Sequence, residues 1–127
     1  MPPEHSDAVE FALWFHDAVF TPGAPDNEAR SAELFGGYAS ATLPPALVDT
    51  VVRLVRVTTH RDPPRDELEA WVMDLDLSSF GMPWPAFLAD SRAVRAEQPM
   101  LSDADYHAGH QRFLGALMAR PAIFFTA

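Results

Sequence analysis

The sequence predicts an all-α protein: one helical domain over residues 1–127, with about five to six helices. Three observations carry that prediction. Proline and glycine cut the 127 residues into helix-sized pieces. Within the pieces, apolar residues recur at three- and four-residue intervals rather than alternating. Hydrophobic residues make up 48% and charged residues 21%, the balance of a globular chain long enough to bury one core.

The elements follow in order. Ser6 is an N-cap candidate for a first helix to about Phe20, with Val9, Ala12, Leu13, His16 and Val19 at helical spacing. Thr21-Pro22-Gly23-Ala24-Pro25 ends it. Asp26 reads as the cap of a second helix through Ala32, Leu34 and Phe35, closing near Gly36-Gly37. Pro44 and Pro45 suit a first helical turn, where a missing N–H costs nothing. They open a third helix whose apolar face is Leu47, Val48, Val51, Val52, Leu54 and Val55, ending at Thr58-Thr59-His60. Asp62-Pro63-Pro64 starts a fourth piece, with Leu68, Trp71, Val72 and Leu75 as its stripe. Gly81-Met82-Pro83 breaks it. A fifth helix is expected over 85–97. A sixth begins at Ser102, with Asp105 at the capping-box position, and stops before Pro121. Ile123-Phe124-Phe125 is an apolar tail expected to pack on the core, as are Trp14, Trp71 and Trp84.

Composition excludes several chemistries. There is no cysteine, hence no disulfide, thiolate zinc site or cysteine nucleophile. All nine basic residues are arginine, so a Schiff-base or P-loop lysine is absent. A net charge of −9 opposes binding to a nucleic-acid backbone. No apolar run is long enough for a membrane span, and the first residues lack the pattern of a secretory signal, so a cytoplasmic location is expected.

Several residues are placed where chemistry could occur. His16 and Asp17 stand together at the edge of an apolar face, and a buried charge there requires a partner or a metal. The plain alternative is a hydrogen-bonded core histidine beside an exposed aspartate. Asp74 and Asp76 point about 200° apart on a helix, since each residue turns ~100°; the plain alternative is two solvated charges. His60 in a last turn suits the helix dipole. Asp26, Asn27, Glu28 and Ser31 read first as capping residues. Arg92 and Arg95, one turn apart, could grip an anion or pair with local acids.

Together these pieces resemble a family. The run Ala12-Leu13-Trp14-Phe15-His16-Asp17-Ala18-Val19-Phe20, then Pro25-Asp26-Asn27-Glu28 and Ser31-Ala32, resembles a bacterial group of predicted metal-dependent HD-superfamily phosphohydrolases. The resemblance continues at Thr58/Thr59-His60, Asp74-Leu75-Asp76-Leu77 with Gly81, Arg95-Ala96-Glu97 and Ile123-Phe124-Phe125-Thr126. It implies a helical HD-type fold around one or two divalent ions (Mn, Fe, Zn, Ni or Mg). His16, Asp17 and Asp76 are then the metal ligands, with Asp74 as the second choice for the distant aspartate. Glu28 and His60 would be acid/base or pocket groups, and Arg95 would hold phosphate. The implied partner is a small phosphorylated molecule, and the chain could form a homodimer. The family's first metal histidine stands in an upstream Tyr-His-Asn-Leu-like segment. None of the residues before His16 matches it, and His5 is the one histidine there. The alternative expectation is therefore a non-catalytic HD-like domain with an incomplete metal site, serving ligand binding or self-association.

Overall fold

A computed structural model describes residues 2–126. Among these residues there are six α-helices, one 3-10 turn and no strand, as the all-α prediction requires. The helices are α1 (Pro3–Phe15), α2 (Asn27–Ala39), α3 (Pro45–Val57), α4 (Glu67–Asp76), α5 (Trp84–Ala96) and α6 (Asp103–Met118). No helix is long and apolar enough to cross a membrane. The chain groups into two compact units: residues 2–76 with Thr126, and residues 77–125.

The first unit is built by α1 to α4, with α3 against α1, α2 and α4. Its core is a cluster of Ala8, Ala12, Ala32, Phe35, Val48, Val51, Leu54, Val55 and Val72. The alanines of α1 and α2 let the backbones approach, and Phe35 fills the space between. Phe11 and Phe15 meet the Phe35 ring with centroids 5.7 and 5.0 Å apart. Each of the larger aliphatic side chains buried here contributes ~1.5–3 kcal/mol of transfer free energy. Val48, Val51 and Val55 fall on one face of α3, so helical periodicity overrides the strand preference of β-branched residues.

Helix boundaries differ from the sequence prediction for local reasons. α1 starts after Pro2 rather than at Ser6 and stops at Phe15, not Phe20. It stops because the backbone of Val19 is captured elsewhere: its N–H donates to Ser31 Oγ at 2.9 Å, and the Ser31 hydroxyl donates back to its carbonyl at 3.1 Å. α2 runs through Gly36-Gly37 to Ala39. α4 begins at Glu67, later than the Asp62 start, because Asp66 caps it. The Asp66 carboxylate accepts from Glu69 N–H at 2.9 Å, and Glu69 reaches back to Arg65 N–H at 2.7 Å, a capping box. Arg53 of α3 donates to both acids at 2.9 and 2.7 Å, which makes the almost fully buried Glu69 tolerable.

In the second unit the turn Ser78–Gly81 packs on α5 through Phe80 and Phe87, with Trp84 stacked on Phe87 at 5.6 Å. Ser102 caps α6 by accepting from Asp105 N–H, as expected. The apolar tail only half fulfils its expectation: the Phe124 ring lies over Gly81, while Phe125 is exposed under the Arg120 guanidinium. Trp14 and Trp84 are corrections. Both sit on outward helix faces and are 77% and 66% exposed.

Candidate metal centre

Four of the predicted residues meet in the first unit, brought there by three different segments. His16 is the C-cap of α1, and Asp17 begins the loop after it. Asp76 is the last residue of α4, and His60 lies three residues beyond α3. His16 Nε2 lies 2.9 Å from Asp76 Oδ1 and 3.2 Å from Asp17 Oδ2. His60 Nε2 lies 2.6 Å from Asp76 Oδ2. Asp76 is thus gripped on each carboxylate oxygen by the Nε2 of a different histidine.

The other ring nitrogen of His16 decides what Nε2 can do. His16 Nδ1 is 2.7 Å from the Leu13 carbonyl, which has no proton to give, so Nδ1–H is the donor. In a neutral ring this leaves a lone pair on Nε2, aimed at two carboxylates. That arrangement needs a cation between them, either a proton on Nε2 or a metal ion. Hydrogen bonds with Asp17 and Asp76 push the His16 pKa up to about 10, against the opposing pull of burial. For Asp76, burial pulls upward, yet the hydrogen bonds from His16 and His60 outweigh it and hold the pKa down at about 2.

Local structure fixes each part. His60 has φ +57°, a left-handed conformation that glycine or asparagine adopts more readily. Holding histidine there costs roughly 1 kcal/mol. Its side chain is only 4% exposed. It stands past the last turn of α3, so the helix-dipole role expected for it is replaced by its bond to Asp76. The loop after His16 is clamped to α2 by two side chains of one helix face. Asn27 accepts from Thr21 N–H at 2.8 Å and donates to Thr21 O at 2.9 Å, while Ser31 holds Val19. Asp26 makes no side-chain cap bond. Asp26 is the N-cap residue of α2, as expected, but Asn27 and Ser31, read first as capping residues, are clamps on the loop that follows Asp17. The signal in the sequence was two polar residues four apart, hence on one face, facing a Pro/Gly-rich loop.

Asp74 and Arg95 are held by other partners. Asp74 is buried and accepts from Thr126 N–H at 2.7 Å and Thr126 Oγ1 at 2.5 Å, so it anchors the chain end rather than facing Asp76. The reading of Asp74 and Asp76 as solvated charges is corrected, since the Asp76 side chain is also only 17% exposed. Glu28 is half-buried in the first turn of α2. Arg95 lies in the second unit. There it donates to the Gln98 and Leu101 carbonyls and to Asp103, and stacks on Tyr106 at 4.8 Å.

The donor set fits a divalent ion: imidazole nitrogen and carboxylate oxygen suit Mn, Fe, Zn or Ni. A backbone carbonyl on Nδ1 is the usual support that aims Nε2 of a metal-bound histidine. Among the described residues, no group of three or more His, Asp or Glu side chains is already spread in a metal-holding arrangement. The four instead close on one another by hydrogen bonds. A groove of about 680 Å³, lined by His5, Leu47, Thr50, Leu68 and Trp71 among others, contains none of the predicted site residues. No family model, curated protein or solved structure matches the chain.

Proposed function

We propose that the first unit is a metal-dependent phosphohydrolase centre of HD type acting on a small, nucleotide-like phosphoester. His16, Asp17 and Asp76 would hold the divalent ion. The observation that carries this reading is His16 itself: Nδ1–H is fixed on the Leu13 carbonyl, and Nε2 faces two carboxylates at 2.9 and 3.2 Å. A bound divalent ion supplies a water of lowered pKa and a polarised phosphoryl oxygen. The chain's own groups do the rest. Leu13 and Asn27 hold His16 and the Asp17 loop in place, and Asp76 keeps two imidazoles turned inward. Asp17, 71% exposed, is the member of the set open to solvent and hence to a substrate.

The test is a screen of phosphomonoesters and nucleotides with added Mn²⁺, using Asp17→Ala as the control. Loss of several kcal/mol of metal-derived stabilisation corresponds to a fall of ~100-fold or more in rate. Equal activity and equal metal binding in wild type and variant would reject the assignment. A non-catalytic helical domain that self-associates is the second reading. It is favoured by Trp14 and Tyr38, 77% and 75% exposed in this unit. Inactive, metal-free wild type that dimerises in sedimentation would support it instead.

A further inference from the structure

We propose that His60 is itself a ligand of the ion, so that this chain binds metal through two imidazoles, His16 and His60, with Asp76 between them and Asp17 beside them. The inference rests on the metal reading above and adds to it a residue and a metal class. Three observations support it. His60 Nε2 and His16 Nε2 approach the two oxygens of one carboxylate, at 2.6 and 2.9 Å. An ion bound by Asp76 would therefore lie within reach of both nitrogens.

Burial then separates the roles open to His60. A general acid or base must reach the substrate or exchange its proton with solvent. The His60 side chain is 4% exposed and faces Asp76, which suits a ligand and not a group that meets substrate. The backbone points the same way. His60 occupies a left-handed position at φ +57°, where glycine or asparagine would be easier, so the imidazole is kept at a conformational cost. With the second imidazole the set offers two nitrogen donors and two carboxylates. Two nitrogen donors with carboxylates also favour a transition ion over Mg²⁺, whose preference is for oxygen.

The experiment uses the full chain with one equivalent of Cu²⁺ for electron paramagnetic resonance, and Co²⁺ and Mg²⁺ for titration calorimetry. His60→Asn is the main variant, because asparagine accepts the left-handed backbone; His60→Gly is the second, and His16→Ala the control. Wild type should show two imidazole nitrogens and bind Co²⁺ more tightly than Mg²⁺. Each His60 variant should show one nitrogen and lose more than ~100-fold in Co²⁺ affinity, beyond the ~10–100-fold that loss of an outer partner causes. An unchanged nitrogen count with a smaller loss would make His60 a positioning residue for Asp76 and overturn the proposal. Wild type that binds neither Co²⁺ nor Cu²⁺ would overturn the metal reading itself, and this proposal with it.

Discussion

His16 concentrates the chemistry of the first unit because three groups act on one ring: a backbone carbonyl, a half-buried carboxylate and an exposed one. In the metal-free protein this makes stability depend on pH in two limbs. The folded pKa of His16, about 10, is above its ordinary 6.5, so its contribution is complete below 6.5 and is lost as pH rises toward 10. The folded pKa of Asp76, about 2, is below its ordinary 3.8, so its contribution is complete above 3.8 and is lost as pH falls toward 2. The stability difference between wild type and Asp76→Asn, from urea unfolding in chelator, should be greatest between those limits and shrink on both sides. A difference that stays flat with pH would contradict the pairing. Asn27 offers an independent check on positioning. Its side chain is buried and makes both a donor and an acceptor bond to Thr21. Asn27→Ala should cost about 1–3 kcal/mol in denaturant unfolding, since it strands the backbone polar groups of the loop.

Element-scale features divide into those the sequence displayed and those it hid. Six helices were legible because proline, glycine and a three-to-four spacing mark each one, and Ser102 with Asp105 even marked the cap of α6. Their ends were less legible where a distant residue decides them. α1 stops at Phe15 because Ser31, from the next helix, takes both backbone groups of Val19. Trp14 looked like core by residue type, yet stands on the outer face of α1. The α3–α4 junction was also hidden, since its capping box is locked by Arg53 thirteen residues before Asp66. Glu69 is the weak point there, being 1% exposed. Glu69→Ala should lower stability by about 1–3 kcal/mol, because the Arg65 N–H loses its acceptor, while the partly exposed Arg53 keeps Asp66. A thermal melt within a degree or two of wild type would show that the network carries little.

For the whole molecule, the adjacent His-Asp pair and the distant Asp were legible from the sequence through one resemblance. The spacing of Asp74 and Asp76 alone left their roles open. What separates them is tertiary: Asp76 ends α4 against His16 and His60, and Asp74 holds Thr126. His60 was legible as a candidate, but its contact with Asp76 depends on a left-handed residue past a helix end, which no spacing reveals. Arg95 sits among its own neighbours in the second unit. The central claim is that His16 and Asp76 share one ion. The measurement that tests it most directly is elemental mass spectrometry on protein purified without a histidine tag or chelator, alongside His16→Ala and Asp76→Ala. The account predicts near-stoichiometric transition metal in wild type and its loss in both variants. Metal-free wild type, or metal retained in both variants, would contradict it.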